Sequence, residues 1–418
     1  MAANRHAAPT ASEVLGAQRT RDLILICAAM GTTFVAQTML LLVVPLHALS
    51  LGATPALIGA LVSAPFIVPS IFAIPMGQLV VRVGARRLMT IGAIGTSVGP
   101  LVALATGSFA GLFAMMVVFG TMQIAMGISA QSTVAGLGRG TALERAFGWY
   151  STTVSVGQML GPIAGGVLLD LVGAQGVFAV AAILPLIAGA CVRGLRGTAP
   201  GHRMAGPLSF GYRPQGQLLR HHAAVQLAVV VTVAVLFGFG AHAAFFPVYL
   251  ESLAVPATVI GALVSLRALA STAVRPFMVG AIRLLGGRSR TVLVSVSVMA
   301  VAMAATGLTT VVPLLAALAL ALGIGAGLAQ PLTMVAIADH VGGDRRPAAL
   351  GLRLTSNQAA QVVGPLTLGL IAEWAGLPAM FVAAGCFLVL CIAMLRRIAP
   401  GYEALERERA AGVAREAA

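Results

Sequence analysis

Ala146–Gly173 reads AFGWYSTTVSVGQMLGPIAGGVLLDLVG, and Ala349–Gly376 reads ALGLRLTSNQAAQVVGPLTLGLIAEWAG. Aligned without gaps at an offset of 203, Ala146, Gly148, Thr152, Gln158, Gly161, Pro162, Gly166 and Gly173 recur as Ala349, Gly351, Thr355, Gln361, Gly364, Pro365, Gly369 and Gly376. Low complexity reproduces short Ala/Val/Leu matches, but not readily a Gln–Gly–Pro–Gly frame. A second pair agrees: Ile58–Ser63 reads IGALVS, and Ile260–Ser265 reads IGALVS again, 202 residues later. The chain is an internal duplication, and a repeat this long must be found before any other reading of the fold.

The solvent of the duplicated unit follows from composition. Of 418 residues, 59% are hydrophobic and 9% charged, with a mean hydropathy of +0.97. A soluble domain carries about 25% charge. The apolar surface is too large for an aqueous core, so the expected fold is all-α and integral to the membrane. A span needs roughly 20 apolar residues. Cutting at charged or Gly/Pro loops gives twelve: 23–49, 55–80, 88–107, 110–134, 147–170, 176–192, 223–250, 256–282, 291–310, 312–338, 348–373 and 377–395. These form an N-terminal six-helix bundle over 23–192 and a C-terminal one over 223–395, flanked by a 1–22 segment, a 193–222 linker and a 396–418 tail. The tail is polar and reads as a short amphipathic or frayed helix. The run from Leu23 is too long for a signal-peptide core and reads as a retained span.

All 26 basic residues are Arg, and the net charge is +14. Their placement in short loops argues for topology rather than for nucleic-acid binding. One set of loops holds Arg82, Arg86, Arg87, Arg139, Arg145, Arg283, Arg288, Arg290, Arg345 and Arg346. The alternate set holds none, and its ends carry Asp170, Glu251 and Glu373. The positive-inside rule puts the Arg loops and both termini in the cytoplasm. The absence of Lys suits a GC-rich bacterial genome, hence a bacterial inner membrane. Cys27, Cys191, Cys386 and Cys391 show no ligand spacing with His, so neither metal nor cofactor is expected.

With the repeat, the span count and the loops in place, the chain resembles the major facilitator superfamily over nearly its whole length. Gly157-Gln158-Met159-Leu160-Gly161-Pro162-Ile163-Ala164-Gly165-Gly166 fits that family's motif C, GxxxGPxxGG, at every defined position. The motif is characteristic of the drug–proton antiporter branch, so the resemblance implies export coupled to protons. The segment Gly77, Arg82, Gly84, Arg86 and Arg87 resembles motif A, with Val81 where the family has Asp. In the family that Asp helps latch the halves at the cytoplasmic side. Physically, Gly157, Gly161 and Gly165 fall at i, i+4 and i+8 and make a flat stripe for helix contact. Pro162 and Pro365 deprive the carbonyls of Gln158 and Gln361 of their helical donors and permit a bend.

Polar side chains in lipid are costly and should face the bundle interior. The amides within spans are Gln37, Gln78, Gln123, Gln131, Gln158, Gln226, Gln330, Asn357, Gln358 and Gln361. They avoid the third, sixth, ninth and twelfth spans, which stand outside in the family architecture. Arg267 lies about 17 Å into the eighth span at the standard rise, near the midplane, with no acid at that depth. The expected substrate residues are Arg267, Gln37, Gln123, His242, Gln330, Asn357 and Gln361. Arg275 and Arg353, nearer the cytoplasm, read as snorkelling or as site residues. Coupling candidates are His47, His242 and Asp339, because a proton carrier must titrate. Phe34, Phe66, Tyr150, Phe237 and Phe245 are candidate cavity aromatics or packing residues.

Expected partners are lipid, a small-molecule substrate and protons, not nucleic acid, with the monomer as the functional unit. The favoured function is efflux of an amphipathic molecule, and the alternative is uptake of an organic anion. A membrane enzyme would need clustered catalytic residues, and none appear in the sequence. Cysteine introduced at Ala53 or Glu251 should label from outside, and at Gly138 or Gly343 only from inside. Labelling of all four from one side would rule out the twelve-span topology.

Overall fold

The computed structural model describes residues 11–137, 141–195, 213–342 and 345–417. The loop positions Gly138, Arg139 and Gly343, residues 1–10 and most of the linker (196–212) lie outside the described residues. Among the described residues, ten helices are long and apolar enough to cross a membrane. Two of these each carry two spans. The helix Thr141–Arg193 turns at Gly173 (φ 70°, ψ 178°), and the helix Arg346–Ala417 turns at Gly376 (φ 84°, ψ 164°). Twelve spans result, in two pseudo-symmetric six-helix bundles.

Those two glycines are the last matched pair of the repeat. At positive φ with ψ near 180° a β-carbon is excluded, so glycine alone turns the chain there without a loop. The remaining elements are α1 (Ala11–Ser50), α2 (Pro55–Val83), α3 (Ala85–Thr106), α4 (Phe109–Ala135), the short linker helix α6 (Arg213–His221), α7 (Ala223–Ser252), α8 (Ala257–Ala273), α9 (Met278–Leu285), α10 (Arg288–Thr306) and α11 (Val312–His340). Thr141–Arg193 is α5 and Arg346–Ala417 is α12. Caps fall where the sequence supplies them: Thr54 Oγ1 accepts from Leu57 N at 3.5 Å and Ser108 Oγ from Gly111 N at 3.2 Å.

The structure adds detail at three of these segments. The first helix begins at Ala11, so its polar start extends beyond the apolar run at 23–49. The tail, read as helical, continues the last span as one helix to Ala417. The eighth span, read as 256–282, is interrupted by a 3-10 turn at Arg275–Phe277. Pro276 has no N–H to give the preceding turn, and its ring crowds that turn, so the α-helix stops there.

The repeated segments meet each other across the seam between the halves. A β-carbon on Gly59 would lie 3.0 Å from the Pro365 carbonyl carbon and 3.3 Å from Gly369 Cα. One on Gly261 would lie 3.0 Å from the Pro162 carbonyl carbon and 3.3 Å from Gly166 Cα. Thus IGALVS of each half packs on the Gly-Pro segment of the other, with backbone against backbone. Ser63 Oγ also donates to Val362 O at 2.8 Å across the seam, whereas its mate Ser265 is buried without a partner.

The same seam is closed by two carboxylates at the end of the molecule away from the Arg loops. Asp170 Oδ2 accepts from Thr258 N at 2.8 Å and Thr258 Oγ1 at 2.6 Å. Glu373 Oε2 accepts from Ala56 N at 3.1 Å and Thr54 Oγ1 at 2.9 Å. Asp170 and Glu373 are themselves a repeat pair, 203 residues apart. Each caps the N-terminus of a helix in the opposite half, where the helix dipole favours negative charge.

The motif C stripe faces the first span, within one half. A β-carbon on Gly161 would lie 2.6 Å from Val35 O, and one on Gly165 would lie 2.9 Å from Met39 Cγ. Thr38 Oγ1 sits 2.9 Å from Phe34 O and 3.1 Å from Gly157 O, tying the two helices together. Gly161→Leu should therefore abolish transport while the protein still inserts, since overpacking this contact costs about 1–3 kcal/mol and forces α1 away. Normal transport by that variant would show that the contact does not matter to function.

Candidate functional site

A cavity of about 360 Å³ lies between the halves. Its lining runs from mid-helix residues of α1, α2, α4, α5, α7, α8, α11 and α12 toward the arginine-rich end. Eight of the ten amides within spans face it: Gln37, Gln123, Gln131, Gln158, Gln330, Asn357, Gln358 and Gln361. Gln78 and Gln226 do not; Gln226 Nε2 donates to Arg220 O at 3.1 Å near the start of α7. In a low-dielectric interior these amides pair with one another. Gln361 Nε2 donates to Asn357 Oδ1 at 2.7 Å, and Gln123 Nε2 to Gln37 Oε1 at 3.4 Å. Gln123 Oε1 is left buried without a partner, an acceptor with spare capacity at the cavity wall.

Arg267 stands at the closed end of this cavity. Its guanidinium carbon lies 4.4 Å from the centroid of the Phe239 ring, and its Nε is buried without a hydrogen-bond partner. Stacking on an aromatic face holds a cation without neutralising it. The same side chain reaches a narrow crevice beside Pro162, Gln158 and Pro247, next to the seam between the repeats. Ser271, one turn further along α8, and Arg275, in the 3-10 turn beyond it, line the cavity as well. Arg275 therefore faces the cavity. Its Nη1 lies 3.5 Å from Ser155 Oγ of the other half. Among the described residues, no carboxylate belongs to the lining. Arg353 donates from Nε to Thr333 Oγ1 at 2.7 Å and stands outside the lining.

The cavity brings together six of the expected substrate residues: Arg267, Gln37, Gln123, Gln330, Asn357 and Gln361. His242 is not among them. It is buried and stacked on Phe246, with ring centroids 4.2 Å apart and both ring nitrogens unpartnered. His47 and Asp339, expected as coupling residues, also stand apart from the cavity. His47 lines an outer vestibule with Asp170 and Glu251 and meets Phe178 edge-on at 5.5 Å. Asp339 is held by Arg288 Nη1 at 2.8 Å and by Arg409 of the tail helix, and Arg288 also reaches Glu406 at 3.4 Å. This cluster pins the tail to α10 and α11.

Phe34, Phe66 and Tyr150 line the cavity with Phe239, whereas Phe237 stacks on Phe387 at 4.0 Å and Phe245 is fully buried in the core. The sequence reading passed over Phe239 and Ser271. The i, i+4, i+8 spacing of Arg267, Ser271 and Arg275 was the signal that would have found Ser271. In the motif A-like segment, Gly84 separates α2 from α3, Val81 is exposed, and Arg86 Nη2 donates to Arg193 O at 2.6 Å.

The profile of the Major Facilitator Superfamily matches residues 26–246 and 228–416. The chain belongs to that superfamily and is a membrane transporter, not an enzyme. No curated protein sequence matches it. Among solved structures, it is similar to a bacterial homologue of the human lysosomal transporter Spinster in an inward-facing, unoccupied conformation. That match has 16% identity and a TM-score of 0.74, covering 93% of this chain and 98% of the other. It is also similar to the human organic anion transporter MFSD10 (TETRAN), at 18% identity and a TM-score of 0.65 over 90% and 99% of the two chains. The nucleoside transporter NupG matches at 13% identity and a TM-score of 0.74 over 90% and 99%. At such identities the likeness is one of fold alone.

Proposed function

We propose that this protein is a secondary transporter that exports a small amphipathic organic anion from a bacterial cytoplasm by alternating access, as a monomer. One observation carries the anion reading: Arg267 projects a charge into an amide-lined cavity whose lining, among the described residues, holds no carboxylate. A guanidinium stays ionised at any working pH, and in a membrane interior it needs a compensating group. With no acid supplied by the cavity wall, the substrate supplies it. The amides and the aromatic rings of Phe34, Phe66 and Phe239 suit an amphipathic body that accepts hydrogen bonds and stacks. The positive-inside rule favours a cytoplasmic mouth for this cavity.

Export and proton exchange are favoured by the fit of Gly157–Gly166 to motif C. The absence of a carboxylate from the cavity lining favours a second reading, uptake of the anion by symport or uniport. Energised inverted vesicles separate them. Under proton antiport, adding substrate partly collapses the pH gradient, and uncouplers stop its accumulation; accumulation without either effect removes the antiport reading. Arg267→Gln keeps hydrogen bonding and removes charge. It should weaken apparent affinity for an anionic substrate at least about tenfold, the loss of one charge-assisted hydrogen bond, with membrane yield little changed. Unaltered affinity in that variant would end the binding role of Arg267.

A further inference from the structure

We infer that the substrate carries two acidic groups, one bound by Arg267 and the other by Arg275. The inference rests on the anion reading of this cavity and extends it.

Three observations converge. Arg267 and Ser271 are one turn apart on α8, Arg275 follows in the 3-10 turn, and all three line the same cavity. With the α rise to Ala273 and the 3-10 rise beyond it, the two arginines are about 13 Å apart along the axis, with a hydroxyl donor between them. Second, neither guanidinium is neutralised. The Nε atoms of both are buried without partners, and the contact of Arg275 with Ser155 is a neutral one at the limiting distance of 3.5 Å. The ion pairs among the described residues gather instead around Arg288 and Asp339, at the arginine-rich end. Third, beside its amides the lining carries Leu41, Phe66, Val235, Leu236 and Phe239, which suit a hydrocarbon or ring spacer.

Charge balance then decides the class. A monoanion would leave one fixed positive charge in a confined, poorly solvated cavity, at an electrostatic cost that a dianion removes. Arg275 also touches Ser155 of the opposite half. A bound acidic group there exchanges a weak inter-half hydrogen bond for a charge-assisted one, so the second acid both binds and loosens the open state.

The test uses two flexible acids of equal chain length, suberate and octanoate, titrated calorimetrically into the full-length protein in lipid nanodiscs. Suberate should bind at least about tenfold more tightly, the effect of one additional charge-assisted hydrogen bond. Arg275→Gln should erase that preference, so that suberate and octanoate bind alike, while Arg267→Gln weakens both. Equal binding of the two acids to the unmodified protein, or a preference for suberate that survives Arg275→Gln, overturns the two-charge inference and leaves the anion reading standing. Binding of neither acid overturns the anion reading and this inference together.

Discussion

Two backbone carbonyls, those of Pro162 and Pro365, press against the α-carbons of Gly261 and Gly59 in the opposite half. No side chain fits between them, so the helices approach as closely as backbones can. This reciprocal contact draws the halves together at the arginine-poor end and leaves the amide-lined cavity running toward the arginine-rich end. Van der Waals packing between small residues is the main cohesive force between helices in lipid, where apolar burial gives no advantage. A seam built this way is tight when registered and weak when separated. Such a seam lets rigid halves rock about a central site.

Polar groups are distributed according to what the membrane permits. The carboxylates that tie the seam, Asp170 and Glu373, are exposed at its rim, where ionisation is cheap. Each caps a helix N-terminus, a contact worth about 1 kcal/mol in such a setting. Deeper in, the lining holds uncharged amides and two arginines. The third tie, Asp339 with Arg288 and Arg409, again lies at an end of the bundle. The result is a molecule whose closed end is held by anions and whose cavity is tuned for them.

Much of this was legible in the sequence, because the repeat left its marks on residues that packing cannot vary. Gly173 and Gly376 matched as letters and recur as two turns of nearly the same backbone shape. The two IGALVS copies and the two Gln–Gly–Pro–Gly frames were each visible alone. That they pack on each other was not, since sequence identity between copies says nothing of which surfaces meet. The placement of the amides marked most of the cavity lining because burying an amide against lipid is costly on any helix. His242 stands outside that lining and stacks on Phe246, since a histidine's apolar ring can be buried as packing. The partners of Asp339, Arg288 and Arg409, were not legible because they lie far away in sequence. The break at Pro276, one residue after Arg275, was hidden because proline inside a membrane helix kinks some spans and leaves others intact.

The central claim is that the reciprocal seam holds the arginine-poor end shut. Gly52 and Ala254, in the turns before α2 and α8, lie at that end in opposite halves, and Leu137 and Gly342 lie at the other. Pulsed electron–electron distance measurements between spin labels at each pair, in nanodiscs, read the two ends separately. The account predicts a short, narrow distribution for the 52–254 pair that lengthens in the Asp170→Ala, Glu373→Ala double variant, with the 137–342 distance shortening in step. Distributions that stay unchanged in the double variant, or that lengthen at both ends together, would contradict it.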